Sequence, residues 1–162
     1  MPRSPFKTAL RRYDSGLDVV VRMSELCKTS LTATAIRYAE LTEDAIAVIV
    51  SIGPIIDYCF LSETMRSVPE LRWPKKGDPV PTSTRTAWFN AEPTRILNAE
   101  RVDDEIDLLD WLGGQKPAIV SEEVIGLGGY EKTLTILSSD SLGQDDDDDE
   151  DELIESWTPR FR

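Results

Sequence analysis

Histidine is absent from the 162-residue sequence, and this absence excludes several classes of enzyme at once. The Ser/His/Asp triad, the Cys/His dyad and the zinc hydrolases with histidine ligands all require an imidazole. The two cysteines, Cys27 and Cys59, are too few for a four-cysteine zinc site and do not form a CxxC motif. We therefore expect no catalytic residue, no metal site and no cofactor, and we expect both thiols to be buried and reduced.

Long hydrophobic runs are also lacking. The longest unbroken apolar run covers residues 45–50, whereas a membrane-spanning helix needs about 18 or more apolar residues. The first 12 residues are basic but lack the apolar stretch of a secretory signal. The sequence thus predicts a cytoplasmic protein without a membrane partner.

Acidic residues are in excess, but they are unevenly placed. The formal net charge is −12, and Asp140 together with residues 145–152 supplies nine of the acids. This stretch has too few apolar side chains to fold and its charges repel one another, so we expect residues 140–162 to form a disordered acidic tail. The tail ends in an aromatic-basic segment with Trp157, Arg160 and Phe161, which either docks on a partner or folds back onto the domain.

Two successive stretches of the first 44 residues have the apolar spacing of amphipathic helices. The first contains Val19, Met23, Leu26 and Cys27, and the second contains Leu31, Ala35, Tyr38 and Ala39. Asp18 and Ser30 are suitable caps for their N-termini. Two helices joined by a tight turn are typical of a helix-turn-helix, although a helical hairpin that only packs against a sheet would have the same pattern.

If the pair binds DNA or a partner, its contacts can be assigned by the helical spacing. Thr32, Thr34 and Arg37 would face the groove of the DNA, and Arg22 and Lys28 would contact phosphates. This surface offers few cations, which is unfavourable for tight DNA binding because phosphate contacts dominate DNA affinity.

The remaining sequence predicts an antiparallel sheet, so the fold class is α+β. Apolar, β-branched segments on either side of Gly53-Pro54 predict one hairpin, and residues 118–127 and 132–138, joined at Gly128-Gly129, predict a second. Between the hairpins, the sequence suggests strands over residues 87–89 and 94–99 and a helix over residues 103–112.

Two further features invite functional hypotheses. Glu122 and Glu123 are adjacent in a predicted strand, so their side chains point to opposite faces and cannot act together on one substrate. We expect one of these carboxylates to be exposed and the other hydrogen-bonded.

Trp73 and Trp88 are either core residues or lining residues of a small-molecule pocket under the sheet.

Several segments, taken in order, resemble the C-terminal half of the ImmA/IrrE family of zinc metallopeptidase-type regulators. The most specific are SLTATAIRY and EEVIGLGGYEKTLTIL, and the weaker ones include AIAVIVS and PELRWPKKGDPVP. The resemblance runs from Met1 to about Ser139. It implies a helix-turn-helix-like region over residues 1–44 and a GAF-like α+β domain over residues 45–139.

The family's peptidase core is not represented in this sequence, because its HExxH motif has no counterpart in a chain without histidine. The resemblance therefore implies a non-catalytic regulatory half whose partner is a transcriptional repressor or a peptidase domain. The alternatives are an autonomous DNA-binding transcription factor and a small-molecule sensor domain.

Overall fold

A computed structural model describes residues 16–113 and 117–139 of the chain. This part contains six α-helices, a five-stranded antiparallel sheet and one 3₁₀ turn at Gly128–Tyr130. The helices are α1 Leu17–Cys27, α2 Leu31–Leu41, α3 Glu63–Arg66, α4 Arg85–Asn90, α5 Pro93–Leu97 and α6 Leu108–Leu112. The strands are β1 Ala45–Ile52, β2 Ile55–Leu61, β3 Arg101–Asp107, β4 Ile119–Gly126 and β5 Thr133–Ser139. The predicted α+β class is confirmed.

The strands lie in the order β2-β1-β5-β4-β3, and every neighbouring pair is antiparallel. Both predicted hairpins are present, as β1–β2 and β4–β5. The chain leaves the sheet at β2, on one edge, and returns at β3, on the other edge. The long connection between them carries α3, α4 and α5, and it crosses one face of the sheet.

Each face of the sheet is covered by a different set of helices. On the first, which we call the helical-pair face, α1 and α2 pack against Val48, Val50 and Ile136. On the second, the crossover face, the β2–β3 connection and α6 pack against side chains such as Ile49 and Leu137. Strands β1 and β5 are therefore buried on both sides, which explains why β1 is an almost continuous apolar run.

The helical pair forms as the spacing predicts, but its caps and its buried stripe differ in part. Ser30 caps α2 by accepting a hydrogen bond from the Ala33 backbone N–H at 3.1 Å. Asp18 does not cap α1, because it lies within the first turn and Gly16 occupies the N-cap position. The apolar stripe of α1 ends at Met23, since Leu26 is 62% exposed.

Three elements between the hairpins differ from the sequence-based expectation. Residues 87–89 and 94–99 were expected as strands, but they fall largely within α4 and α5. Local caps explain this result, because the Thr84 side chain accepts a hydrogen bond from Ala87 N–H and Pro93 occupies the first turn of α5. The expected helix over residues 103–112 is divided, with β3 ending at Asp107 and only the last five residues forming α6.

No helix in the described ranges is both long and apolar enough to cross a membrane. The lead-in before residue 16 and the predicted acidic tail after residue 139 lie outside the described residues, as do Trp157, Arg160 and Phe161.

Candidate functional site

A groove of about 570 Å³ lies on the helical-pair face, where the α1–α2 turn meets one end of the sheet. We call it the Tyr58 groove. Its lining is mainly apolar and comes from the start of α2, from β1 and β2, from the end of β4 with the β4–β5 connection, and from the loop before β3. The lining residues are Ser30, Leu31, Thr32, Val50, Tyr58, Ala99, Gly126, Leu127, Gly128, Tyr130 and Lys132. Its volume falls within the range of small-molecule sites in proteins.

Polar groups are concentrated around Tyr58. Burial raises the pKa of the Tyr58 hydroxyl, and the neighbouring Thr32 side chain partly opposes this rise. Lys132 places its ammonium group 3.1 Å from Asp57 Oδ2, and Lys76 Nζ lies 3.6 Å from Oδ1 of the same carboxylate. These lysines, above all the hydrogen bond from Lys132, hold the pKa of Asp57 below its usual value. Two cations therefore share one anion beside the groove.

Large apolar side chains are exposed at the same end of the sheet. Tyr130, in the lining of the groove, is 79% exposed, and Ile52, at the tip of the β1–β2 hairpin, is 47% exposed. Leu97, at the end of α5, lines a smaller neighbouring depression with Gly53 and Glu131. Exposed apolar groups beside a concave surface are typical of a binding site.

Gly126, which lines the groove, also permits α5 to pack closely against the end of β4. A Cβ atom at this position would lie 2.7 Å from the Ile96 backbone Cα and carbonyl oxygen, a distance that real contacts do not reach. Only glycine allows α5 to approach the end of β4 this closely.

Glu122 and Glu123 point to opposite faces, as predicted, and each satisfies the first turn of a helix. Glu122 is fully buried on the crossover face and accepts hydrogen bonds from Arg85 N–H, Thr86 N–H and Thr86 Oγ1–H at 2.7–3.0 Å. Glu123 accepts one from Leu17 N–H at 3.0 Å and pairs with Arg101 at 3.2 Å. The expectation that one of the two is exposed is wrong, because the Glu123 side chain is only 14% exposed.

The predicted DNA-facing surface of α2 is wrong at Thr34. This residue is completely buried, and its hydroxyl donates to the Ser30 carbonyl oxygen at 2.7 Å and lies 2.6 Å from the Thr29 hydroxyl. Thr32 is partly exposed but lines the Tyr58 groove. Arg37 is partly exposed, and Glu40 neutralises it at 2.7 Å.

The two proposed phosphate contacts lie outside α2. Arg22 is exposed on α1, and Lys28 is exposed in the turn with a φ of 55°, a left-handed conformation. Glycine is the usual residue for this conformation, so Lys28 is an unusual residue at this position of the turn. Arg22 and Lys28 therefore do not form a row of cations on the outer surface of α2.

The tryptophans divide between surface and core. Trp73 and Trp88 are 50% and 45% exposed, and neither lines the Tyr58 groove. The guanidinium carbon of Arg95 lies 3.7 Å from the centre of the Trp88 ring, and that of Arg85 lies 5.1 Å from it. Trp111, by contrast, is buried in the core of the crossover face.

The expectation that both thiols are buried is wrong for Cys27, which is exposed. Cys59 is half-buried in β2, and this burial raises the pKa of its thiol to about 12. Within residues 16–113 and 117–139, no three histidine, cysteine or acidic side chains converge closely enough to hold a metal ion.

The sequence did not predict the Tyr58 groove, because its lining comes from residues far apart in the chain. Tyr58 and Lys132 appeared only as ordinary members of two separate hairpins. The single local signal was Asp57, an acidic residue within the otherwise apolar segment 55–61. No family model matches the chain, and the comparison with curated proteins found no match.

Proposed function

We propose that this chain is a non-catalytic recognition module of a stress-response regulator of the ImmA/IrrE type. In such a regulator the module would help a zinc-peptidase domain to find a transcriptional repressor, or would pass a sensed signal to it. The sequence resemblance supports this role. A helical pair on one face of a five-stranded antiparallel sheet is compatible with the helix-turn-helix-like and GAF-like units that the resemblance implies.

The position of the Tyr58 groove is the observation that carries the proposal. Its walls belong both to the start of α2, through Ser30 to Thr32, and to the end of the sheet, through Val50 and Leu127. A molecule bound there contacts the helical pair and the sheet at once. Binding would therefore favour one arrangement of these two parts over others, which is the physical requirement for passing on a signal.

The same groove also supports the sensor alternative, but Trp73 and Trp88 do not line it and would not belong to such a ligand site. The alternative of an autonomous DNA-binding factor is less well supported, because Thr34 is buried and Arg37 is already paired with Glu40. A specific DNA complex whose affinity falls with salt would revive it.

The proposal is tested in a protein that joins this chain to a zinc-peptidase domain of the family. We expect deletion of residues 17–139 to lower the rate at which that protein cleaves its repressor. An unchanged rate after this deletion would overturn the proposal.

A single substitution tests the groove itself. Thr32→Trp fills the groove and should also lower the cleavage rate. Ala33→Trp is the matched control, because Ala33 is the next residue of α2 and is exposed to solvent. Circular dichroism and the melting temperature of both variants establish that the fold is retained. Equal cleavage rates for the two variants would exclude the groove from the recognition role.

A further inference from the structure

We propose that the Tyr58 groove binds a small amphipathic carboxylate, with its apolar part between Leu31, Val50 and Leu127 and its charged group at Lys132. This inference deepens the recognition role proposed above, since it names the chemical class of the signal, and it rests on that role for its biological meaning. Binding itself is measured on this chain alone, so the two proposals can fail separately.

The walls of the groove determine the apolar part of the ligand. Leu31, Val50 and Leu127 come from α2, β1 and the β4–β5 connection, and they belong to or pack against the core of the helical-pair face. Val50 belongs to this core and Leu31 and Leu127 pack against it, so core contacts support all three walls. A volume of about 570 Å³ accommodates a ligand with a medium-length alkyl chain or an aromatic ring.

The charges at the mouth of the groove determine the head group. Lys132 is the charged residue in the lining of the groove, and outside the lining its partner Asp57 is also approached by the exposed Lys76, so the three side chains together carry an excess of one positive charge. Glu131 follows Tyr130 in the chain but lines the neighbouring depression with Gly53 and Pro93 instead. Because the chain as a whole has a net charge of −12, this local excess would select an anion at a defined place on an otherwise repulsive molecule.

Hydroxyl groups supply the remaining contacts for a carboxylate. The hydroxyl groups of Tyr58, Thr32 and Ser30 all belong to the lining of the groove. Hydroxyl groups rotate to donate to an incoming anion, and hydrogen bonds to a charged group are stronger than those between neutral groups.

Three eight-carbon compounds test the head-group preference: octanoate, octanol and octyltrimethylammonium. Each is titrated below its micelle concentration into the full chain labelled with ¹⁵N, and the backbone amide signals of Gly126 and Leu127 are followed. We expect saturable shifts with octanoate, weaker binding of octanol, and the weakest binding of octyltrimethylammonium.

Two substitutions with opposite charge effects locate the head group. Lys132→Met should weaken octanoate binding about fivefold, and Asp57→Asn should strengthen it by a similar factor, because each changes one unit charge beside the carboxylate. Neither substitution should change the affinity for octanol by as much. Arg66→Met is the charge-matched control, since Arg66 is exposed on α3 and does not line the groove, and it should leave octanoate binding unchanged.

The proposal is overturned if octyltrimethylammonium binds as tightly as octanoate, or if Lys132→Met and Arg66→Met have the same effect. It is also overturned if the chain binds phosphatidylglycerol vesicles but not dissolved octanoate, which would indicate a membrane surface as the anion. If octanoate does not bind while Thr32→Trp still lowers repressor cleavage, the ligand class is wrong and the recognition role stands.

Discussion

At the scale of single residues, the two cysteines have very different surroundings. Cys27 ends α1 in solvent, whereas Cys59 is half-buried in β2 beside the core of the crossover face. Only the thiolate form reacts quickly with alkylating agents, so exposure and pKa together determine the rate of labelling.

We therefore expect one thiol of the native chain to react quickly with iodoacetamide at pH 8, and this thiol is Cys27. Cys59 should react only after denaturant unfolds the chain, because burial raises its pKa to about 12. Mass spectrometry of the labelled peptides measures the two rates. The Cys27→Ser variant should show almost no fast labelling, and fast labelling of this variant would contradict the assignment.

Asp57 is the second residue whose environment predicts a measurable effect. Its pKa is lower in the folded chain than in the unfolded chain, so ionised Asp57 stabilises the fold at neutral pH. The contribution is complete above about pH 5 and is lost as the pH falls through about 4 and below.

The Asp57→Asn variant should therefore lose less stability on acidification than the original chain between about pH 5 and pH 3. Urea unfolding at several pH values measures this difference. A double-mutant cycle with Lys132→Met should give a coupling energy of only about 0.5 kcal/mol at pH 7, since Lys132 is 40% exposed. A parallel fall in stability with and without Asp57 would contradict this role.

At the scale of elements, β4 anchors helices on both faces of the sheet through two adjacent carboxylates. Glu122 accepts three hydrogen bonds at the start of α4, while Glu123 accepts one at the start of α1. A negative charge at a helix N-terminus also interacts favourably with the helix dipole.

Replacing each glutamate with alanine should lower the free energy of unfolding by a different amount. Glu122→Ala leaves buried backbone and hydroxyl donors without an acceptor, so we expect the free energy of unfolding to fall by about 3 kcal/mol. Glu123→Ala should cost about 1 kcal/mol, because its donors are closer to solvent. Urea unfolding of both variants provides the comparison. A smaller loss for Glu122→Ala than for Glu123→Ala would contradict the hydrogen bonding described here.

An element can be predicted from the sequence when the residues that determine it lie within the element itself. Both hairpins and the helical pair were predicted because their apolar spacing and turn residues lie within the elements themselves. Strand β3 was not predicted, because Val102 and Ile106 are its only apolar residues. The acidic residues between them are typical of an exposed helix. The Tyr58 groove and the anchoring role of Glu123 depend on contacts across the chain, which periodicity does not reveal.

At the scale of the whole molecule, the helical pair and the sheet share one core. Buried side chains of α1 and α2, among them Val20 and Tyr38, pack directly on Val48 and Ile136 of the sheet. Neither part buries its apolar face alone, so their stabilities should be linked.

We therefore expect the chain to unfold in a single cooperative transition, with equal midpoints by circular dichroism and tryptophan fluorescence. A shortened chain that begins at residue 45 should expose the helical-pair face and bind the dye 8-anilinonaphthalene-1-sulfonate. A chain that ends at Ser139 is the control, because it retains every described residue. A shortened chain with a sharp transition and no dye binding would contradict the shared core.

The paired carboxylates of β4 also constrain how this strand can move. Because Glu122 and Glu123 hold helices on opposite sides, sliding β4 along its neighbours by one pair of residues would detach α1 and α4 together. A slip by a single residue would turn each carboxylate toward the wrong side of the sheet. The two residues thus lock the alignment of β4, and any signal that shifts this strand must be strong enough to release both helices in one step.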